Sequence, residues 1–303
     1  MTLRKLWAFI KLTRPVFLLG GALLYALGIA MAASQGVVID LRRALLGQLI
    51  VTSIQLMAHY ANEYYDLEVD RLIAHNRTFF SGGSGVLPSG ELPRQVARRA
   101  MAACATVAII GICVAAVQSP LMLVVGLTSL LGSWYYSAPP LALMGSGWGE
   151  LTTSIIVALM VPLAGFVLQA NRIDPIVLAI CLPLAPIHMA MMITFEFPDF
   201  EADRAAGKRT LAVRLGKDRV AQLHNGLLAA AFMFNLVMVI SHGPWPAARF
   251  VWLAMPLAAW QIIGVEWRAR HIWTDPSLLA LGGVGLFALT AGLWLIGFVG
   301  WPA

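Results

Sequence analysis

The chain alternates long apolar runs with short polar breaks. Nine runs of about 17–25 residues have the length that a helix needs to cross a bilayer. They cover residues 15–34, 44–62, 97–117, 120–136, 149–169, 175–196, 220–241, 247–265 and 278–299. This pattern predicts an all-α, polytopic membrane protein with about nine transmembrane helices around a central cavity.

A basic amphipathic stretch, "LRKLWAFIKLTR", precedes the first apolar run. Together with the small residues of "AMAAS" it imitates a secretory signal peptide. The run from Pro15 to Ala33 is nevertheless long enough to span a bilayer. We therefore expect an uncleaved first helix with an interfacial segment before it.

Composition agrees with a membrane protein. Hydrophobic residues make up 59% of the chain and charged residues 12%, against about a quarter charged in a soluble domain. The net charge of +6 could suggest a nucleic-acid ligand, but in so apolar a chain basic residues are expected to orient the protein in the lipid bilayer. The three cysteines have no spacing typical of a zinc site or a disulfide framework.

The basic residues are distributed unevenly between the two sides of the predicted bundle. With nine spans, all but four of the 21 Lys and Arg residues fall on the side of the N-terminus; the exceptions are Arg42, Arg43, Arg172 and Arg249. By the positive-inside rule this side is cytoplasmic, with the plasma membrane as the default location. All acidic residues except Asp40 and Asp174 lie on the same side. Orientation does not require carboxylates, so we expect the cavity to open there and to use them.

Two segments on this side share the pattern Asp-x-Glu-x-Asp-Arg. They are "DLEVDR" at 66–71 and "DFEADR" at 199–204, and each follows an even-numbered span. This weak internal repeat relates helices 1–4 to helices 5–8, with helix 9 in addition. Residues 1–303 are interpreted as a single membrane domain.

The spacing within the two segments indicates their chemistry. Asn62, Asp66 and Asp70 recur every four residues and form one stripe on a helix, and Asp199 and Asp203 repeat the pair. Like charges at this spacing destabilise a helix unless they are neutralised. Oxygen ligands of this kind suit Mg²⁺ shared with the oxygens of a diphosphate. The alternative is a pair of solvated loops that form salt bridges with each other.

Other charged residues complete this prediction. Arg77 and Lys208, with Arg209 in reserve, are expected to bind the diphosphate. Glu68 and Glu201 fall off the acid stripes and are expected to be solvated. The Gly-rich segment 82–90 is interpreted as a lid over the site.

These motifs resemble the UbiA-type membrane prenyltransferases over nearly the whole chain. The likeness rests on the two Asp motifs and on "GKRTLAVRLG" at 207–216, "YYSAPP" at 135–140 and "TRP" at 13–15. That family transfers a prenyl group from a polyprenyl diphosphate to an acceptor, usually aromatic, with Mg²⁺ at two Asp motifs. The resemblance implies the Mg²⁺ ligands Asn62, Asp66, Asp70, Asp199 and Asp203. It also implies a prenyl carbocation, which Tyr135 or Tyr136 could surround unless they form an interfacial aromatic belt.

The segment 198–216 looks most like the branch that prenylates 1,4-dihydroxy-2-naphthoate in menaquinone biosynthesis. The same chemistry on 4-hydroxybenzoate, or on another quinone, lipid or pigment precursor, is the alternative. Two other classes fit less well. A CDP-alcohol phosphotransferase would carry an Asp-Gly-x-x-Ala-Arg signature, which is missing. A secondary transporter of an anionic substrate would place its site near the midplane, whereas both acid clusters lie at one face.

Overall fold

The computed structural model describes residues 2–73, 82–241, 247–269 and 275–300, and among these residues all regular structure is helical. The long helices are interrupted at two places by short turns of other helix types, a π turn at Ile156–Met160 and a 3₁₀ turn at Val251–Ala254. The α-helices are α1 (Leu3–Thr13), α2 (Pro15–Ser34), α3 (Leu41–Tyr65), α4 (Leu67–Ile73), α5 (Arg94–Gln118), α6 (Leu121–Ser137), α7 (Gly149–Ile155), α8 (Val161–Ala170), α9 (Pro175–Ala205), α10 (Leu211–Leu215), α11 (Lys217–Ile240), α12 (Ala247–Phe250), α13 (Met255–Ala269) and α14 (Pro276–Gly300).

The predicted transmembrane architecture is confirmed. Within the described residues, eight helical segments are long and apolar enough to cross a membrane, and α6 is a further apolar helix of 17 residues. Each of them corresponds to one predicted run. The stretch before the first run forms its own helix, α1, which buries Ala8 and Leu12 and exposes Leu3 and Trp7. Arg14, in the left-handed conformation, separates α1 from α2.

The predicted ends of two spans were too short. Hydropathy placed the second span at 44–62, whereas α3 continues to Tyr65. It placed the sixth at 175–196, whereas α9 continues to Ala205 and has Pro198 in its interior. The hydropathy signal stops where charged residues begin, but backbone hydrogen bonding does not. Both acid motifs are therefore held on helix ends.

Small residues let α2 and α8 approach each other closely. A Cβ atom on Gly28 would lie 2.0 Å from the carbonyl oxygen of Pro162, and one on Gly165 would lie 2.4 Å from the carbonyl oxygen of Tyr25. Such contacts are typical of helix packing in membranes. Just before α8, the preceding helix widens into the π turn, next to Pro162, which has no N–H to donate.

The central helices surround one cavity. Helix α3 packs against α5 and α6, α2 against α8 and α14, and α9 against α11 and α14. The cavity wall is formed by residues of α2, α3, α6, α9 and α14 and of the α7–α8 segment. The predicted repeat of helices 1–4 and 5–8 stays a prediction.

Candidate active site

The cavity has a volume of about 540 Å³ and a strongly unequal lining. Most of the charged residues come from the segments around the two acid motifs, with Arg14 between α1 and α2 and Glu150 on α7 in addition, and most apolar residues come from the interior of the bundle. The charged residues, taken together with Asn62, are Arg14, Asn62, Asp66, Asp70, Glu150, Glu196, Asp199, Asp203 and Lys208. All five residues predicted to hold Mg²⁺ therefore lie on the wall of one cavity.

The first acid motif lies where α3 ends. Asp66 occupies the C-terminal cap of α3, and its backbone N–H donates to the carbonyl oxygen of Asn62. The N–H of Asp70 in turn donates to the carbonyl oxygen of Asp66 at 2.9 Å. The break between α3 and α4 thus keeps the helical spacing, and all three side chains reach the cavity.

The second acid motif lies on the last turns of α9. Asp199 and Asp203 line the cavity together with Glu196, one turn earlier. One oxygen of Glu196 accepts a hydrogen bond from the backbone N–H of Ala212 at 2.6 Å. This bond holds α10 against α9 and fixes the segment that carries Lys208.

Lys208 joins the two motifs. Its Nζ lies 2.7 Å from an oxygen of Asp66 and 3.4 Å from an oxygen of Asp203. Burial acts to lower the pKa of Lys208, but the two carboxylates outweigh it, so the pKa lies above its ordinary value. Lys208 is therefore a permanent cation at the point where a diphosphate is expected. Arg209 instead donates its backbone N–H to Gly145, and Arg77 lies outside the described residues.

Asp70 is a buried acidic residue with an unpartnered carboxyl oxygen. It is 3% exposed, and its Oδ2 has no hydrogen-bond partner among the described residues. Burial, and next the negative charges of Asp66 and Glu63, raise the pKa of Asp70 to about 8. An additional cation beside Asp70 would relieve this repulsion.

The residues fit a metal ion that is bound together with a diphosphate. Within the described part of the chain, no group of three or more His, Cys, Asp or Glu residues could hold a metal ion by itself. Mg²⁺, however, usually takes only one or two carboxylates and fills its coordination shell with water and substrate phosphate. The unpartnered oxygen of Asp70 and the oxygen-only donor set agree with this mode of binding.

Asn62 and the tyrosines complete the polar end of the cavity. The side-chain amide nitrogen of Asn62 contacts the sulfur of Met144 at 3.4 Å, which leaves the amide oxygen for a ligand. Tyr136 lines the cavity, whereas Tyr135 is not among the described residues on its wall. The two residues differ in this way because neighbouring residues on a helix point about 100° apart. The aromatic role expected for the pair stays a prediction.

The remaining acidic residues of the two repeated segments behave differently. Glu68 pairs with Arg71 and Glu201 pairs with Lys217, both at exposed positions, as their spacing predicted. Glu63 also lies off the stripe but is fully buried. One of its oxygens accepts from the backbone N–H of Ser84 at 2.5 Å, and the other accepts from the Ser84 hydroxyl at 2.8 Å. Sequence reasoning missed this role, because Ser84 is 21 positions away.

The bond to Glu63 places the Gly-rich segment against the first acid motif. Gly82 and Gly83 line the cavity. Gly83 has φ +66°, and a Cβ there would lie 2.2 Å from Oδ2 of Asp70. Only glycine combines this conformation with so close an approach. Gly82 and Gly83, at the start of the segment expected to be a lid, are thus part of the cavity wall; its role as a lid stays a prediction.

The rest of the wall is apolar and reaches the outside of the bundle. Leu19 lines the cavity and is also 70% exposed, so the cavity is open beside α2. The deeper wall includes two histidines, one of which, His188, contacts the ring of Phe287 with centroids 4.9 Å apart. The main side chains of this wall are Leu23, Leu24, Ile50, Val51, Ile54, His59, Met122, Val157, Met160, Val161, His188, Met191, Phe195 and Phe287.

The sequence matches the UbiA prenyltransferase family over residues 22–281. The chain is 29% identical to a 1,4-dihydroxy-2-naphthoate octaprenyltransferase of Mycobacterium tuberculosis over 222 residues, which covers 71% of this chain and 72% of that one. It is 26% identical to the enzyme of the same name from Bacillus subtilis over 246 residues, which covers 81% and 78% of the two chains.

The fold also has a counterpart among solved structures. A UbiA homolog from Archaeoglobus fulgidus, solved with GPP and Mg²⁺, aligns with a TM-score of 0.68 at 18% identity. The alignment covers 96% of this chain and 99% of that one. At this level of identity the likeness concerns the fold.

Proposed function

The chain belongs to the UbiA prenyltransferase family, and on that premise we propose that it transfers a prenyl group from a polyprenyl diphosphate to 1,4-dihydroxy-2-naphthoate. We propose that the reaction depends on Mg²⁺ and serves menaquinone biosynthesis. The protein is an integral membrane enzyme; the donor, the acceptor and the metal are what is proposed.

The observation that carries the proposal is that the cavity has a charged end and an apolar end. Two acid motifs 133 positions apart (Asp66 and Asp199) line its polar end together with Lys208, and an apolar wall that is open beside α2 continues from there. A prenyl diphosphate has the same division, an anionic head on an apolar chain. The cavity therefore suits the donor along its whole length.

The polar end would hold and activate the diphosphate. Bound Mg²⁺ supplies positive charge that neutralises the diphosphate and makes it a better leaving group. Lys208 donates hydrogen bonds to the phosphate oxygens. Its positive charge stabilises the diphosphate more strongly as negative charge develops on the departing group. The carboxylates of Asp66 and Asp203 position Lys208 for this task.

The apolar wall would hold the prenyl chain and exclude water. When the C–O bond breaks, its electron pair leaves with the diphosphate, and the prenyl carbon carries positive charge. Tyr136, Phe195 and Phe287 offer aromatic faces on the cavity wall, and aromatic faces stabilise a nearby cation. An electron-rich ring carbon of the acceptor then forms the new C–C bond, and the ring loses a proton, which restores its aromaticity.

The choice of a naphthoate acceptor rests on the relatives. The matched enzymes of M. tuberculosis and B. subtilis are both named for 1,4-dihydroxy-2-naphthoate. The acceptor also carries a carboxylate, and Arg14 is, with Lys208, one of two permanently cationic side chains among the described residues on the cavity wall. We further propose that this end of the bundle faces the cytoplasm and that the protein resides in the plasma membrane, because most Lys and Arg residues lie on this side.

The direct test is an assay of the purified protein in detergent. Geranylgeranyl diphosphate and Mg²⁺ are supplied with either 1,4-dihydroxy-2-naphthoate or 4-hydroxybenzoate, and prenylated products are identified by mass spectrometry. We expect product from the naphthoate and none after chelation with EDTA. Product from 4-hydroxybenzoate alone would show that the naphthoate is not the acceptor. No product from either compound would refute the proposed function.

Matched variants test the ligand assignment. Asp66→Asn and Asp199→Asn are expected to lower kcat/KM by about a hundredfold or more, since each removes a charge that holds the diphosphate end together. Glu68→Gln and Glu201→Gln remove the same charge at exposed positions of the same segments and should leave activity near wild type. Equal losses in both pairs would show that net charge, and not the cavity position, matters.

A further inference from the structure

Two carboxyl groups on the cavity wall take no part in the ion pairs described above. Glu150 begins α7 and Glu196 lies on α9, and both line the cavity. Glu150 is 3% exposed and Glu196 is 8% exposed. Buried ionisable residues inside a membrane domain are costly and usually serve a ligand or a pathway.

The two side chains face each other. Their carboxyl groups lie within hydrogen-bond reach, and a hydrogen bond between two carboxyl groups requires one shared proton. As ionised groups, Oε2 of Glu150 and Oε1 of Glu196 would have no hydrogen-bond donor among the described residues. The second oxygen of Glu196 is already used by the N–H of Ala212. The packing of α10 thus accounts for one carboxyl oxygen of Glu196 and gives no reason for the burial of Glu150.

The charge of the pair identifies the kind of ligand. No salt bridge to either side chain is found in the described part of the chain. Without a metal ion or another cation between them, the pair would repel a diphosphate, and the prenyl chain offers no hydrogen bond. A neutral hydroxyl group is the partner that such a pair can bind, because it donates one hydrogen bond to a carboxylate oxygen.

The pair also lies where an acceptor is required. Glu150 interacts electrostatically with Asp203 of the second acid motif and with Tyr136. A hydroxyl group bound by the pair therefore belongs to a molecule that lies beside the diphosphate end of the cavity. Tyr136 lines the wall at the same place, so an aromatic ring there would meet an aromatic side chain.

We propose that Glu150 and Glu196 form the subsite that recognises a ring hydroxyl group of the aromatic acceptor. This inference rests on the proposed function, and it adds the residues that select a hydroxylated ring and fix its orientation. The pair acts through binding: it accepts the hydrogen bond of the ring hydroxyl while Lys208 and the acid motifs hold the donor.

The test compares two probes that differ only at the hydroxyl groups. The affinities of the full-length protein for 1,4-dihydroxy-2-naphthoate and 1,4-dimethoxy-2-naphthoate are measured by titration calorimetry in detergent under reducing conditions. In the wild type we expect the hydroxylated probe to bind about tenfold tighter or more, because a buried acceptor is left unpaired by the methyl ether.

Two variants and one control assign this preference to the pair. In Glu150→Leu the preference should fall to about threefold or less. In Glu150→Gln, which keeps the size of the side chain, the amide N–H can donate to Glu196 in place of the shared proton, so the fold is kept. The amide oxygen is a weaker, uncharged acceptor for the ring hydroxyl, so the preference should fall, though less than in Glu150→Leu. Glu68→Gln, at an exposed position, should keep the full preference.

The outcomes separate this inference from the proposed function. Equal affinity of the wild type for both probes, binding of neither probe, or an undiminished preference in both Glu150 variants overturns the subsite. Failure of the proposed function appears elsewhere, as absence of prenylated product from the wild type.

Discussion

The contact between Gly83 and Asp70 provides a sharp test of the site, because the chain contains a matched control. Gly83 has φ +66°, and a Cβ atom there would lie 2.2 Å from Oδ2 of Asp70. Gly90 belongs to the same Gly-rich segment and has φ +73°, but a Cβ there would meet nothing within 4 Å. Alanine at either position forces an L residue into the left-handed conformation, which costs about 1–2 kcal/mol.

The two substitutions should therefore differ at the carboxylates beside Gly83. Asp70 collides directly, and an oxygen of Glu63 would lie 3.3 Å from the added carbon. A carbon–oxygen contact needs more than 3 Å, so Gly83→Ala must displace the Asp70 carboxyl group or the segment by on the order of 1 Å. A displacement of about 1 Å within a catalytic arrangement can lower the rate about a hundredfold. We expect kcat/KM to fall by about that factor in Gly83→Ala and to stay within about threefold of wild type in Gly90→Ala.

The assay is prenyl transfer by the purified protein across a Mg²⁺ titration, with thermal unfolding of the same samples. Both variants should lose the stability that the left-handed conformation costs, and Gly83→Ala should lose somewhat more because of the added contact with Asp70. At a temperature where both are folded, only Gly83→Ala should lose activity. In Asp70→Ala, which removes the colliding carboxyl group, adding Gly83→Ala should have little further effect. Equal activity of the two alanine variants would refute the reasoning, as would full additivity in the double variant.

Three further predictions concern the charges at the site and the helix packing. Lys208→Met should lower kcat/KM by about a hundredfold, since it removes the cation shared by the two acid motifs. Lys217→Met, which removes a lysine from an ion pair at the surface, should match wild type in the same assay. Similar losses in the two variants would contradict the role of Lys208. Because the pKa of Asp70 is raised to about 8, the folded, metal-free protein holds one proton more than the unfolded chain between about pH 4 and pH 8, so its stability should fall as the pH rises through this window. Mg²⁺ affinity, measured by calorimetry with geranyl diphosphate present, should rise by up to about tenfold per pH unit from 6 to 8, and an equally steep rise in Asp70→Asn would show that another group titrates. Gly28→Ala should lower the midpoint of thermal unfolding, because the added carbon would lie 2.0 Å from a backbone oxygen and overpacking costs about 1–3 kcal/mol. Gly20→Ala on the same helix, where a Cβ would meet nothing within 4 Å, should leave the midpoint unchanged. Equal midpoints in the two variants would argue against tight packing of α2 on α8.

Local patterns were sufficient for most of the architecture. A helix must have about 20 apolar residues to cross a bilayer, so the nine runs predicted the membrane helices directly. The spacing of Asp66 and Asp70, and of Asp199 and Asp203, placed each pair on one helix face. The structure brings both pairs to the wall of one cavity. Their assignment as metal ligands stays a prediction.

Contacts between distant positions were decided by the tertiary structure alone. Lys208 reaches Asp66 across 142 positions, and Glu150 of α7 meets Glu196 of α9. Neither pairing has a signal in spacing, because it depends on how α3, α7 and α9 pack. That Tyr136 rather than Tyr135 lines the cavity likewise depends on the rotation of α6 against its neighbours.

The sequence by itself thus determined which segments are helices in a membrane and which faces carry acidic residues, since apolar length and residue spacing act within a single helix. Only the tertiary structure decided which of these faces share a cavity, because helix packing depends on the fit of side chains from many helices at once. Glu63 is the clearest case. It is one residue from the acid stripe and its position in the sequence assigned it no role, yet it is fully buried and holds the Gly-rich segment against Asp70.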